Sequence, residues 1–282
     1  MDQTNRDQAA YAHARWRLIN SGYNDGAQNM AIDEAILEAV AAQLSPPTIR
    51  FYGWNPPCVS LGYRQSATVV EDVRLNNLGW DMVRRPTGGR AILHVDELTY
   101  SVIAPVNEPR VKGSILESYR RLSGALVVGL NLLGLEAIET PKDRAPGGQE
   151  GPACFDTPSD YEITFEERKL VGSAQVRKKN VVLQHGTLPL VGDVGRLVDT
   201  LRLEEERDRA QMRADLEGRA TTLAAALGRE VPFQEAAEAM ATGFRQALNL
   251  TFLESQPSQA EVDRARELRA QKYAADSWLR RL

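Results

Sequence analysis

Sulfur is scarce in this 282-residue chain, which carries two cysteines, Cys58 and Cys154. Two thiols so placed build neither a disulfide framework nor a zinc site. No apolar run approaches eighteen residues, so no membrane span is expected. The opening MDQTNRDQAAYAHARWRL is polar and has no apolar h-region, so no secretory signal is expected. A basic excess is also missing: 34 Lys and Arg stand against 38 Asp and Glu, a net charge of −4, which argues against a general nucleic-acid binder. Neither GxxxxGK[ST] nor GxGxxG occurs, and there is no internal repeat or low-complexity tract. What is present, 43% hydrophobic and 26% charged residues, fits a soluble globular chain with one substantial core, expected in the cytoplasm.

Periodicity divides the chain. In NMAIDEAILEAVAAQL, residues 29–44, Ile32, Ile36, Val40 and Leu44 fall four apart on one helical stripe. Asn29 is the expected cap, with Asp33 and Glu34 near the positive end of the helix dipole. Strands are expected at 48–54, 59–63, 81–85, 90–95 and 98–105, bounded by Pro, Gly or Asn. A second amphipathic helix is expected from Ser114 to Leu133, stopping at Gly134. The stretch 140–153, TPKDRAPGGQEGPA, reads as irregular. After Cys154, YEITF, KLVGSAQVR and NVVLQHGTLPL read as a three-stranded meander with polar turns at 166–168 and 177–180. From Asp193 onward Glu, Arg, Ala and Leu dominate, and at least three helices are expected within 196–228, 233–248 and 258–274. The charges of RLEEERDRAQMRADLEGR alternate in sign, as on an exposed helix face. Strands and helices are partly segregated, which favours an α+β fold.

Two segments carry candidate chemistry. RRPTGGRAILH, 84–94, places two adjacent glycines before a strand; this is either a tight turn or a place where backbone approaches a ligand closely. In GPACFDTPSDYEITFEERKLVGSAQ, Cys154 is followed fifteen residues later by Lys169. On the residues alone Cys154 is either a small buried hydrophobe or a nucleophile, and Lys169 either a solvated strand residue or its activator. Cys58, among apolar strand residues, reads as structural. His94 lies beside the Gly-Gly turn, and His185 is expected to hydrogen-bond within the meander; neither is assigned a proton-transfer role. Asp156 and Asp160 read as turn and strand-entry residues.

RRPTGGRAILH, ELTYS, CFDTPSDYEI, KLVGSAQ and LQHGTLPL occur in an order and spacing that resemble the lipoate/biotin–protein ligase superfamily. Within it the likeness is strongest to the octanoyltransferases of lipoate biosynthesis of the Gram-positive type. It runs from NMAIDEA and IRFYGWNPPCVSLGY to KYAADSW. The resemblance implies an α+β catalytic domain, a mixed curved sheet flanked by helices, over 1–250, with 251–282 a helical extension packed on it. It also implies an acyl tunnel roofed by the Gly-Gly loop and floored by the GSAQ strand. Arg85, Gly88, Gly89, His94, Gly172, Ser173 and Ala174 then line or shape it. The small residues at 172–174 suit a slot for a hydrocarbon chain.

By the same resemblance Cys154 is the nucleophile and Lys169 lowers its pKa. The implied activity moves octanoyl from octanoyl-acyl carrier protein to a lysine of a lipoyl-domain protein, such as the glycine cleavage H protein or a 2-oxoacid dehydrogenase E2. It needs no cofactor, metal, membrane or nucleic acid. An ATP-dependent lipoate–protein ligase and an octanoyl amidotransferase stay open as alternatives, as does a non-catalytic binding module. Because such partners are acidic, Arg84, Arg85, Arg90, Arg177, Lys178 and Lys179 are either a docking face or ordinary solvated turn residues.

Overall fold

A computed structural model describes residues 11–141 and 161–282. Its strands are β1 (Ala14–Asn24), β2 (Thr48–Trp54), β3 (Cys58–Leu61), β4 (Asp81–Arg84), β5 (Ile92–His94), β6 (Glu97–Pro105), β7 (Ile138–Pro141), β8 (Tyr161–Phe165), β9 (Arg168–Lys178), β10 (Val181–Pro189) and β11 (Leu250–Glu254). Its α-helices are α1 (Gly26–Ala41), α2 (Asp72–Asn77), α3 (Ile115–Leu132), α4 (Glu206–Arg219), α5 (Leu223–Leu227), α6 (Phe233–Ala247), α7 (Gln259–Leu268) and α8 (Asp276–Leu279). Eight strands make one open mixed sheet in the order β11-β1-β2-β6-β10-β9-β8-β7, and β4-β3-β5 make a smaller one. In the large sheet β1 is parallel to both β11 and β2, and the remaining neighbours are antiparallel.

The central strands β6 and β10 are buried along nearly their whole length, because helices cover both faces of the sheet. Leu122, Leu126 and Leu130 of α3, with Met240 and Phe244 of α6, pack on Tyr100, Val102 and Val182. Alternate residues of the same strands, Ile103 and Leu183, face Ile36 and Leu37 of α1 with Ala265 and Leu268 of α7. A third core joins Val59 and Leu61 of the small sheet to Leu197, Val198 and Leu216.

Several local expectations change. Helix α1 starts earlier, where the Asp25 side chain accepts from the Gln28 N–H at 2.7 Å. Asn29 is therefore not the cap: it is buried inside the helix and donates to the Gly53 carbonyl at 2.9 Å. Ile32, Ile36 and Val40 are buried, but the helix ends at Ala41 and Leu44 is 81% exposed. Asp33 and Glu34 lie one turn too deep to serve the helix dipole and point into the protein instead. Thr140 and Pro141, read as loop, belong to β7 and pair with β8. The helix at 115–132 holds, with Ser114 and Glu117 forming a reciprocal capping box. Among the described residues, no helix is long and apolar enough to cross a membrane.

Candidate active site

The site is built where β9, β10 and the loop after β4 converge. Gly186 of β10 faces Ser173 across the ladder. A β carbon there would come within 2.6 Å of the Gly172 carbonyl and 2.7 Å of the Tyr100 ring, so only glycine fits. The Tyr100 hydroxyl lies 2.7 Å from Ser173 Oγ and accepts from Gln184 Nε2 at 2.9 Å, which fixes the polar wall beneath the small residues.

Lys169 reaches this wall through a β-bulge. Thr164 pairs with Lys169 but Ile163 pairs with Val171, so Leu170 is an extra residue in β9. The bulge re-phases the strand. A β carbon on Gly172 would stand 3.3 Å from Lys169 Cε and 3.8 Å from Nζ, so the amine lies across the bare glycine. Lys169 is buried, and the backbone around it is held by the Thr221 N–H, which donates to the Lys169 carbonyl at 2.9 Å.

Arg85 shapes the Gly-Gly loop from within. Its Nη2 donates to the carbonyls of Gly88 and Arg90, both at 2.8 Å, and Nη1 to the Ser60 carbonyl at 2.9 Å. Gly89 sits at φ +93°, a conformation favouring glycine, and its carbonyl presses against Gly62 so closely that a side chain on Gly62 has no space. The loop's Thr87 hydroxyl lies 2.7 Å from His185 Nε2. Behind that ring stands the Asp33 carboxylate, 3.8 Å from Nδ1, which accepts from Arg50 Nη1 at 2.7 Å, Ser101 at 3.0 Å and Tyr52 at 3.0 Å. Burial pushes Asp33 upward, but the Arg50 guanidinium and His185 outweigh it and hold the carboxyl below its usual range. Burial pushes His185 down, against the opposing pull of Asp33.

His94 belongs to a second chain of contacts. Its Nδ1 lies 2.7 Å from Glu97 Oε1, and Glu97 also accepts from Thr99, which accepts from Trp54 Nε1. A carboxylate only accepts, so Nδ1 is the donor. Nε2 lies 2.7 Å from Ser60 Oγ, and Trp54 stacks on the ring with centroids 4.0 Å apart. Both ring nitrogens are thus engaged.

These walls enclose a cavity of about 1410 Å³. Arg85, Gly88, Gly89, His94, Lys169, Gly172, Ser173 and Ala174, chosen from sequence, all line it. Among the described residues no group of three or more His, Cys, Asp or Glu side chains is placed to hold a metal.

The family described as lipoyl protein ligase A/B catalytic domain matches residues 25–245. This chain belongs to that family. It is 44% identical over 270 residues to "Octanoyltransferase LipM" of Symbiobacterium thermophilum, covering 93% of this chain and 97% of that one. To the "Octanoyltransferase LipM" of Bacillus subtilis it is 40% identical over 271 residues, again 93% and 97%. Among solved structures, a bi-partite lipoate protein ligase of an archaeal lipoylation system, from Thermoplasma acidophilum, superimposes with TM-score 0.78 at 25% identity. That match covers 95% of this chain and 96% of the other.

Some of the sequence readings hold, some need correction and some fall outside the described residues. Cys154, Asp156 and Asp160 lie outside the described residues. Arg84 is no docking residue: it is fully buried and donates to the carbonyls of Gly62 at 2.9 Å, Gln65 at 2.5 Å and Leu279 at 2.6 Å. Arg85 is likewise buried. Lys179 is tied to Glu38 at 2.8 Å. His185 bonds across to the Gly-Gly loop instead of within the meander. Cys58 is buried against Gly26, and burial pushes its thiol pKa well up.

Sequence reasoning missed Gly186, Thr87, Lys272 and Trp278 as lining or supporting residues. The signal for the last two was the KYAADSW motif, whose position far along the chain gave no hint of where it packs.

Proposed function

We propose that this chain is an octanoyltransferase of lipoate biosynthesis that works through a Cys154 thioester. The Cys154 thiolate adds to the thioester carbonyl of octanoyl-acyl carrier protein. The donor thiolate leaves and takes up a proton, and octanoyl–Cys154 remains. A lysine amine of a lipoyl-domain protein then adds to that carbonyl, loses a proton and expels the Cys154 thiolate, leaving an amide. Neither step consumes ATP.

The reading is carried by the Lys169 amine, buried in the cavity wall across Gly172. An ammonium next to a thiol favours the anion, and a free cysteine, with pKa near ~8.5, is only a few per cent ionised at neutral pH. The slot left by Gly172, Ala174 and Gly186 suits a hydrocarbon chain. Likeness along nearly the whole chain to octanoyltransferases supports the identity of the acyl group.

One rival has an observation behind it: the superposition on a lipoate protein ligase favours ATP-dependent activation of a free acid on the same scaffold. Reconstitution separates the two. Octanoyl-acyl carrier protein, a lipoyl domain and the enzyme are mixed without ATP, and the lipoyl domain is weighed. Octanoylated domain supports the transferase. Modification that requires ATP and free acid supports the ligase, and modification only from an octanoylated lipoyl-type donor supports an amidotransferase.

A further inference from the structure

Two motifs read in the sequence, NMAIDEA and KYAADSW, take no part in the chemistry above, yet the fold joins them beside the cavity. Glu34 of α1 is buried, and its carboxylate accepts from Lys178 at 2.6 Å, Lys272 at 2.5 Å and the Tyr273 hydroxyl at 2.6 Å. The Lys272 ammonium also lies 4.2 Å from the centroid of the Trp278 ring. Lys178, Lys272 and Trp278 all line the cavity. An ammonium has three donors, and Glu34 takes one from each lysine, so donors are left for a ligand.

The charge around this pair is one-sided. The chain as a whole has more acids than bases, but among the described residues the cavity is lined by seven Lys or Arg and no Asp or Glu. Arg85 and Lys169 are buried, whereas Arg64, Arg90, Arg177, Lys178 and Lys272 retain solvent exposure and mark the outer part. A neutral fatty chain gives no reason for such a rim. The cavity also exceeds the roughly 300–1,000 Å³ of an ordinary small-ligand site, so it has room for more than an acyl chain.

We propose that Lys178 and Lys272, positioned by Glu34 and Trp278, form a subsite for the phosphodiester of the donor's thioester-bearing arm. This rests on the octanoyltransferase reading. Glu34 neutralises one of two adjacent ammoniums, and the pair keeps a net positive charge at a fixed place. A phosphate seated there anchors the arm at the outer end while its thioester extends toward Lys169. The amine of an acceptor lysine carries no such group, so the subsite distinguishes donor from acceptor.

The test compares two minimal donors, octanoyl-4′-phosphopantetheine and octanoyl-pantetheine, which differ only in the phosphate. The wild-type enzyme is expected to favour the phosphorylated donor by about tenfold or more in kcat/KM, and Lys178→Gln and Lys272→Gln to cut that ratio several-fold. Lys178 is the more exposed of the two, so its variant carries the test if the other does not fold. Equal use of both donors, or a ratio unmoved by the substitutions, overturns the subsite. Calorimetry with acyl-free 4′-phosphopantetheine reads the site without any transfer. Binding that weakens in the variants upholds the subsite even if the chain transfers no octanoyl, in which case the functional reading fails alone; no binding overturns the subsite.

Discussion

The Lys169 amine lies across the bare backbone of Gly172, 3.8 Å from where that residue's β carbon would stand. Three residues apart on an unbulged strand, these two would face opposite sides. The extra residue at Leu170 puts them together. Replacing Gly172 by leucine sends a side chain into the space the amine occupies. Octanoyl transfer is expected to fall at least about tenfold, with a melting temperature close to wild type because the new atoms enter the cavity and not the core. Steady-state kinetics with thermal melts checks this; unchanged transfer by a folded Gly172→Leu would remove the amine from the mechanism.

Lys169 itself is open to a direct probe. In Lys169→Gln the reactive thiol is expected to titrate higher, toward the ordinary value near ~8.5. Alkylation rate against pH reads this, since buried Cys58 stays silent. Identical titration curves for wild type and variant would mean that the amine does not act on the thiol.

The Arg50–Asp33 pair is fully buried, so breaking it leaves a lone charge in the core. Asp33→Ala is expected to cost about 3–5 kcal/mol in denaturant unfolding. It should also loosen the Gly-Gly loop, since Asp33 stands behind the His185 ring that contacts Thr87. A loss below about 1 kcal/mol would show that the pair contributes little.

Glu34 gives a pH signature. Burial raises its carboxyl pKa, but hydrogen bonds from Lys178, Lys272 and Tyr273 outweigh burial and bring it down to about 2 from an ordinary 4.5. The unfolded chain therefore takes up this proton first as pH falls. The stabilisation is full above pH 4.5 and is lost as pH drops toward 2. Unfolding free energy measured across that window is expected to fall more steeply for wild type than for Glu34→Gln, and parallel slopes would refute the assignment.

The sequence made the meander and α3 legible because each signal there is local: polar turns that bound the strands β8 to β10, and an amphipathic run that stops at Gly134 for α3. Strand β1 escaped because Arg17 interrupts its apolar pattern. That arginine is buried through a two-pronged bond to Glu261, 244 residues away, at 2.8 and 2.6 Å, and a third bond to the Thr48 hydroxyl at 3.0 Å. Asp33 and Glu34 looked like dipole residues for the same reason, since their partners, Arg50, Lys178 and Lys272, come from other elements. Arg84 resembled a solvated turn residue because backbone carbonyls, its real partners, leave no trace in the sequence. For the lining of the site, Arg85, Gly88, Gly89 and His94 come only from the order of motifs that carries the family resemblance, since the Gly-Gly pair by itself reads equally as a tight turn. The small residues at 172–174 have a physical signal of their own, a strand without bulky side chains.

The most direct measurement is the intact mass of the enzyme after brief exposure to octanoyl-acyl carrier protein without ATP or acceptor. The expected result is one octanoyl group per chain, on Cys154, removed by hydroxylamine and absent from Cys154→Ala. An unmodified wild-type enzyme, or a Cys154→Ala variant that still octanoylates a lipoyl domain, contradicts it.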